Sequence, residues 1–460
     1  MKHYDAIVIG SGQAGSPLAT QLAKAGKRTA IIEKRFVGGT CVNDGCTPTK
    51  TMIASAKAAY QAAHASALGV HVDDVQVDMK QIKARKDELV RSWRNGSQTG
   101  MEQAENLDLL FGEATFIGDK ALKVALNDGG ELELSADLIF INTGTTPLIP
   151  YIEGLTDVGY LTSTTILDLE EVPDHLLVIG GNYVALEFAQ MFHRFGSKIS
   201  VLERGPRIMS REDEDISESL MNILSEEGLN VFTNTQAIKF EPRDGQIIAT
   251  LSVNGDQQEI TCSHVLVATG RKPSTEKLAP QVSGIELDEK GFVKVNVKLE
   301  SNVKGIYALG EVNGGPAFTH ISYNDYTIVY RNLIEGGDYT TTGRPLPYCM
   351  FTDPQLGRIG LSEKQALEQG YNIKVAKLPM KQVARAQETG DTRGLMKAVV
   401  DADTRQILGA AILGEAGGEV MTVLQMAMMG GITHDVLKYG VFAHPTYSES
   451  LNNLFMTLDE

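Results

Sequence analysis

The chain has 460 residues, which at roughly 150 per domain is about three domains, and its 42% hydrophobic and 22% charged content is that of a globular protein with a large core. Against 42 basic residues stand 58 acidic ones, a net charge of −16 that repels phosphate backbones and anionic lipid, so neither nucleic acid nor a membrane is expected as a partner. Four cysteines are too few for a disulfide framework, and no apolar stretch reaches the roughly 18 residues of a spanning helix, so the expected location is cytoplasmic. The first apolar run, Ala6 to Ile9, is too short for a signal peptide and leads straight into glycines.

Residues 5–34 read as an apolar strand, a glycine turn, a helix of 3.6-residue period and a second β-branched strand ending in Glu33. This is the βαβ dinucleotide fingerprint. Gly10 makes the tight turn, Gly12 lets the backbone approach a pyrophosphate, and Gly15 permits close helix–strand packing. The helix N-terminus offers N–H groups and positive dipole, and Glu33 can accept ribose hydroxyls. The same unit returns at an offset of 170 residues, over 175–204, with Val8, Ile9, Gly10, Gly26 and Glu33 recurring as Val178, Ile179, Gly180, Gly196 and Glu203. Two copies in register imply two bound dinucleotides. In the second copy Asn182 and Ala185 replace the later glycines; asparagine tolerates a left-handed backbone, and its side chain is expected to hold the pyrophosphate further out. Glu203 suits an unphosphorylated ribose and hence NADH, while Arg204 and Arg207 could receive a 2′-phosphate, which leaves NADPH open.

Between the copies, residues 38–50 read GGTCVNDGCTPTK. Two helical residues five apart have Cα atoms about 8.5 Å apart, whereas a disulfide wants less than about 7 Å. Cys41 and Cys46 can therefore pair only across a local distortion, for which Asn43 and Gly45 supply the freedom. A constrained pair at a helix start is a reducible dithiol with one stabilised thiolate. Zinc would need two further ligands at suitable spacing, and no structural metal is expected. Cys262, in the strand-like run Thr261 to Ala268, and Cys349 read as buried packing residues. Met421, Met426, Met428 and Met429 read as core or dimer packing rather than a metal site.

With GSGQAG, GGTCVNDGCTPTK, NTG at 142–144, VATGRKP at 267–273, YALGEVNGG at 307–315 and HPTYSE at 444–449, the chain resembles the FAD-dependent pyridine nucleotide–disulfide oxidoreductases along its whole length. Within them it is most similar to mercuric-reductase-like and reactive-chlorine-resistance flavoproteins, the closer likeness to the latter resting on GCTPTKT, FINTG, FTHISYNDY and HPTYSESLNNLF. The resemblance implies an α/β fold of two Rossmann-like dinucleotide-binding domains plus an α+β C-terminal dimerisation domain. FAD would be bound by residues 1–150 and 271–340, NAD(P) by 151–270, and a homodimer formed through 341–460. It assigns Gly10, Gly12, Gly15, Glu33, Gly39, Thr40, Ala114, Thr143, Gly144 and Glu311 to FAD, and Gly180, Asn182, Tyr183, Glu203, Arg204 and Gly270 to NADH or NADPH. Glu311 stands where the family usually has Asp, one methylene shorter.

By the same resemblance Lys50 and Glu187 lie near the flavin N5, Cys46 is the flavin-side thiol, and Cys41 attacks the acceptor. His444 and Glu449 form the acid–base pair presented across the dimer. A carboxylate on one ring nitrogen fixes the tautomer of a catalytic histidine, which is an independent reason for that pair. His320 is expected simply to pack near the flavin. The resemblance implies an enzyme passing electrons from NAD(P)H to a metal ion of the Cu(II) or Hg(II) type, with Cys41 and Cys46 as transient ligands, or to a disulfide. Mercuric reductases carry a second cysteine pair and an appended domain. This chain ends NLFMTLDE and begins at the first strand, which favours Cu(II) over Hg(II). The alternatives are a dihydrolipoamide dehydrogenase or other small-disulfide reductase, and a redox-sensing flavoprotein without turnover, against which the intact dithiol and acid–base pair speak.

Overall fold

The computed structural model describes residues 1–459. Its contacts divide the chain into two compact units, one of Met1–Thr51, Lys83–Leu148 and Gly270–Arg344, the other of Met52–Ile82, Ile149–Thr269 and Pro345–Glu460.

In the first unit the strand Lys2–Ile9 lies between two parallel neighbours, Thr29–Glu33 and Glu131–Ile141. Leu107–Gly118 adds parallel beyond Thr29–Glu33, and Ile306–Ala308 parallel beyond Glu131–Ile141. Side chains alternate between faces along a strand, and both faces here are covered, as in most parallel sheets. Ile7, Ile9 and Ile32 enter one core cluster, whereas Ala6, Val8 and Ile31 enter the other, with Leu18 and Leu22 of the helix Gly15–Lys24. The ends of Leu107–Gly118 and Glu131–Ile141 run on past the parallel region and pair antiparallel with Ala121–Leu126.

The second unit repeats this plan. A parallel sheet in the order His264–Val267, His175–Ile179, Lys198–Leu202, Asn230–Phe232 is followed by an antiparallel meander of Thr235–Arg243, Gln246–Val253 and Asp256–Cys262. The repeat thus extends beyond the fingerprint, but not strand for strand. Glu131–Ile141 is continuous, whereas its counterpart is broken between Cys262 and His264. The single run expected over Thr261 to Ala268 is therefore two strands. At the break the Ser263 hydroxyl accepts from His175 N–H and donates to the His175 carbonyl, each at 3.0 Å, and the Ser263 N–H donates to the same carbonyl at 3.0 Å. Cys262 is fully buried at that corner, and burial pushes its thiol up to about 12, which suits a packing residue.

A five-stranded antiparallel sheet, in the order Tyr348–Met350, Gln355–Gly360, Ile407–Gly414, Leu395–Asp401, Ile373–Pro379, forms the C-terminal part of the second unit. Met350, Leu356, Ala411 and Leu413 share one core cluster with Leu176, Val178 and Phe188. Met421 is buried and Met428 packs against the C-terminal core, while Met426 and Met429 are exposed. Cys349 is half-buried, not buried as expected, for it lies on Tyr348–Met350, the edge strand of that sheet. Among the described residues no helix is long and apolar enough to cross a membrane.

Candidate active site

Gly10 has φ +101°, and a Cβ there would collide with the Asn142 carbonyl. The turn can therefore lie against Asn142 only as glycine. A Cβ on Gly39 would sit 2.6 Å from the Gly12 Cα, so the fingerprint turn and the start of the cysteine segment touch backbone to backbone. Gly38 N–H donates to Ser11 O at 3.1 Å, joining them further. Asn142, not singled out from the sequence beyond its place in NTG, ties the cradle together: its Oδ1 accepts from Gly15 N–H at 2.9 Å and its Nδ2 donates to Leu309 O at 2.8 Å. One helix N-terminal N–H expected to face a ligand is thus already occupied.

Glu33 Oε2 accepts from Ser11 N–H at 3.0 Å and from its hydroxyl at 2.7 Å, and Oε1 accepts from Arg35 N–H at 2.8 Å. The second copy reproduces this at the same 170-residue offset: Glu203 accepts from Gly181 N–H at 2.9 Å and from Gly205 N–H at 2.7 Å. Gly180 has φ +119°, but Asn182 is extended at φ −100° and exposed, so no left-handed residue is needed there. Tyr183 opens the helix Tyr183–Arg194, Arg204 is exposed, and Arg207 reaches Glu214 at 4.0 Å. Gly270 turns the chain at φ +140°.

Thr40 and Cys41 lie on the short helix Gly39–Asn43, and Cys46 is the first residue of the helix Cys46–Ala63. The distortion expected between the cysteines falls at Asp44, φ −137°, and Gly45, where a Cβ would crowd Thr40 O at 2.9 Å. Asn43 is not the flexible point. It ends the short helix, donates to Val37 O at 3.0 Å and Gly39 O at 2.9 Å, and accepts from Arg94 Nε at 2.7 Å. Cys41 and Cys46 are present as thiols rather than a disulfide. A hydrogen bond with Cys46 and then burial hold the Cys41 thiol well above its ordinary range, opposed by Thr319 and by the Lys50 charge. Cys46 Sγ lies 3.4 Å from Thr319 Oγ1.

Thr143 Oγ1 is buried without a hydrogen-bond partner, Gly144 has φ +64°, and Ala114 is buried in Leu107–Gly118. Glu311 bonds Thr145 and lies 3.3 Å from Arg271 Nε. Asp325, missed in the sequence, accepts from Gly310 N–H at 2.8 Å and pairs with Arg344 at 2.5 Å. His320 is exposed and stacks on Phe318 with ring centroids 5.4 Å apart.

In the second unit Glu187 is buried on Tyr183–Arg194 and accepts from Phe351 N–H at 2.8 Å. His444 Nδ1 lies 2.8 Å from Glu449 Oε2, with its side chain 68% exposed. Cys41, Cys46, Lys50 and Thr319 thus form one group and His444 with Glu449 another. Thr319 lies within the FTHISYNDY run, but nothing in the sequence ties it to a cysteine 273 residues earlier.

The family profile described as pyridine nucleotide-disulphide oxidoreductase matches residues 4–325, and that of its dimerisation domain matches 346–455. The chain is 38% identical over 459 residues to the probable pyridine nucleotide-disulfide oxidoreductase RclA of Escherichia coli, covering 99% of each. It is 36% identical to a mercuric reductase of Staphylococcus aureus, covering 99% of this chain and 83% of the relative. With a dihydrolipoyl dehydrogenase of Thermus scotoductus it shares 34% identity, over 98% of this chain and 96% of the relative. Among solved structures, the Cu(II) complex of the HOCl-induced flavoprotein disulfide reductase RclA from Escherichia coli superposes with a TM-score of 0.91 at 37% identity, covering 99% of both chains.

Proposed function

The chain belongs to the pyridine nucleotide-disulphide oxidoreductase family, and from this premise we propose that it passes electrons from NAD(P)H through Cys41 and Cys46 to a metal ion of the Cu(II) or Hg(II) class. The cofactors of the family, FAD and NAD(P)H, are those of this chain. Its residues fit them. The glycine cradle at Gly10, Gly12 and Gly39 admits no side chain, Thr143 carries an unsatisfied buried hydroxyl, and each unit ends in a stapled glutamate. We assign FAD to residues 1–150 and 271–340, NAD(P) to 151–270, and the homodimer contact to 341–460.

Bound FAD would supply the two-electron chemistry that links nicotinamide hydride to disulfide reduction. The chain's own residues do the rest. Cys46 receives the electron pair and Cys41 is released as the thiol that meets the acceptor. Lys50 and Glu187 are assigned as the ammonium and carboxylate that set the charge around the flavin. His444 of the partner subunit moves the Cys41 proton. Glu449 on Nδ1 fixes its tautomer and leaves Nε2 for the transfer. Closing the disulfide again returns two electrons, which reduce two Cu(II) to Cu(I) or one Hg(II) to Hg(0). Paired thiolates are the soft ligands such ions prefer.

The observation that carries this reading is the Cys41–Cys46 pair set between Lys50 and Thr319. Support for the metal acceptor comes from the 37% identical relative solved as a Cu(II) complex. The test is anaerobic NADH oxidation by purified protein offered Cu(II), Hg(II), lipoamide and glutathione disulfide in parallel. Turnover confined to the metals is expected, and Cys41→Ala abolishes it while FAD stays bound. Rapid turnover with lipoamide would instead favour the dihydrolipoyl dehydrogenase reading, which the 34% identical relative supports.

A further inference from the structure

A buried charge stands behind the loop that carries Glu311. Backbone bonds hold that loop at three points: Leu309 N–H donates to Ile141 O at 2.9 Å, Val293 N–H to Val312 O at 2.9 Å, and Gly314 N–H to Glu311 O at 3.1 Å. Gly310 N–H goes instead to a side chain. Its acceptor is Oδ2 of Asp325, 2.8 Å away, on the second turn of the helix Thr319–Ile334. Gly310 has φ +73°, and a Cβ there would meet Ser322 Oγ at 2.8 Å, so loop and helix lie in direct contact.

Asp325 is 1% exposed. Its other oxygen pairs with Arg344 Nη1 at 2.5 Å, and the Asn313 side chain hydrogen-bonds the same carboxylate. Arg344 also reaches Asn324 Oδ1 at 3.3 Å. Capping one N–H needs only a neutral oxygen, whereas a buried carboxylate is costly unless it is paired and hydrogen-bonded. The gain is strength, because a hydrogen bond to a charged acceptor is the stronger kind. Glu311 follows the clamped N–H directly, bonds Thr145 and lies 3.3 Å from Arg271 Nε. It has one more rotatable bond than an aspartate, so its aim depends more on a fixed backbone beneath it.

We propose that Asp325 is a positioning residue for FAD: paired with Arg344, its carboxylate fixes Gly310 N–H and with it the loop that presents Glu311 to the cofactor. The assignment rests on the reading of Glu311 as part of the FAD site. A loop fixed before binding spares the cofactor the cost of ordering it.

The experiment compares purified holoprotein of wild type, Asp325→Ala, Asp325→Asn, Arg344→Met and Glu311→Ala. Each is diluted in series and released FAD is read by its fluorescence, while unfolding is followed separately by circular dichroism with FAD in excess. Asp325→Ala is expected to raise the FAD Kd about tenfold or more. Asp325→Asn keeps an oxygen for Gly310 N–H and raises it by less. A role confined to stability weakens free and FAD-bound protein alike, so lower melting temperatures with a wild-type FAD Kd would overturn the proposal. Should Asp325→Ala not fold, Arg344→Met carries the same comparison: a severalfold rise in Kd is expected, and an unmoved Kd overturns the role of the pair. Glu311→Ala tests the underlying reading. An FAD Kd unmoved in that variant would take Glu311 out of the FAD site, and this proposal with it, whatever the Asp325 variants do.

Discussion

Glu33 and Glu203 each hold together the turn they were expected only to serve. The Glu203 carboxylate accepts from Gly181 N–H and Gly205 N–H, one oxygen to each, and so fastens the glycine turn to the chain leaving Lys198–Leu202. Removing it leaves buried Gly181 N–H without an acceptor, at a cost of about 1–3 kcal/mol. Under the proposed ribose role, Glu203→Ala also loses the hydroxyl acceptor. The expected outcome is a KM for NADH raised about tenfold with a smaller change in kcat, and a melting temperature a few degrees lower. Steady-state kinetics with both nucleotides separate the two roles. A shift of preference toward NADPH supports the ribose contact, and an unchanged NADH to NADPH ratio leaves Glu203 as a staple alone. Both glutamates were legible because a repeat marks them. The staples were not, because a backbone N–H has no letter in the sequence.

Between elements, the second unit holds an ion network that no motif announced. Arg194, the last residue of Tyr183–Arg194, pairs with Glu227 at 2.5 Å and with Asp353 at 2.8 Å, and its guanidinium lies 3.8 Å from the centre of the Tyr60 ring. Arg393 adds contacts to Asp353 at 3.4 Å and Asp391 at 2.7 Å, and Lys57 reaches Asp353 at 3.2 Å. Burial alone would raise the Asp353 carboxyl, but Arg194 and Lys57 hold it below the ordinary carboxylate range. A depressed folded pKa contributes stability above the unfolded value of about 3.9, and that contribution is lost as the pH falls through the folded value. Arg194→Met leaves two nearly buried carboxylates short of charge, and unfolding in urea at pH 7 is expected to show a loss of about 3–5 kcal/mol. With Asp353 less depressed, held then by Lys57 and Arg393 alone, acid unfolding begins at a higher pH than in wild type. A loss below about 1 kcal/mol would mean the network balances only its own desolvation. Here the limits of the sequence are physical. The βαβ units, the break between the cysteines and the His444–Glu449 pair are local patterns and could be read. Arg194 with Asp353, Asn142 with Gly15, and Ser263 with His175 join positions that no periodicity relates. The half-exposed Cys349 and the extended Asn182 likewise depend on neighbours brought in by tertiary packing.

At the scale of the molecule, charge and exposed apolar surface pull against each other. Two chains of net charge −16 repel, so association must rest on apolar burial. The C-terminal part offers it: Val436, Tyr439, Val441 and Met456 are all exposed, Val441 completely, and they flank His444 in sequence. All of these but Met456 lie in the dimerisation domain of the family, found over residues 346–455. Burying one valine is worth about 1.5–3 kcal/mol, and a two-fold interface counts it twice. Val441→Glu replaces both copies with a charge that must be desolvated, so the dimer dissociation constant is expected to rise about a hundredfold or more. Light scattering across a concentration series measures this. In the proposed mechanism the acid–base histidine comes from the partner, so the monomeric variant retains FAD and still closes Cys41 and Cys46 with diamide. It turns over no acceptor, because no second chain brings Nε2 of a histidine to Cys41. A monomer that retains FAD and turns over at the wild-type rate would place the proton transfer within one chain, and His444 would lose its role across the interface.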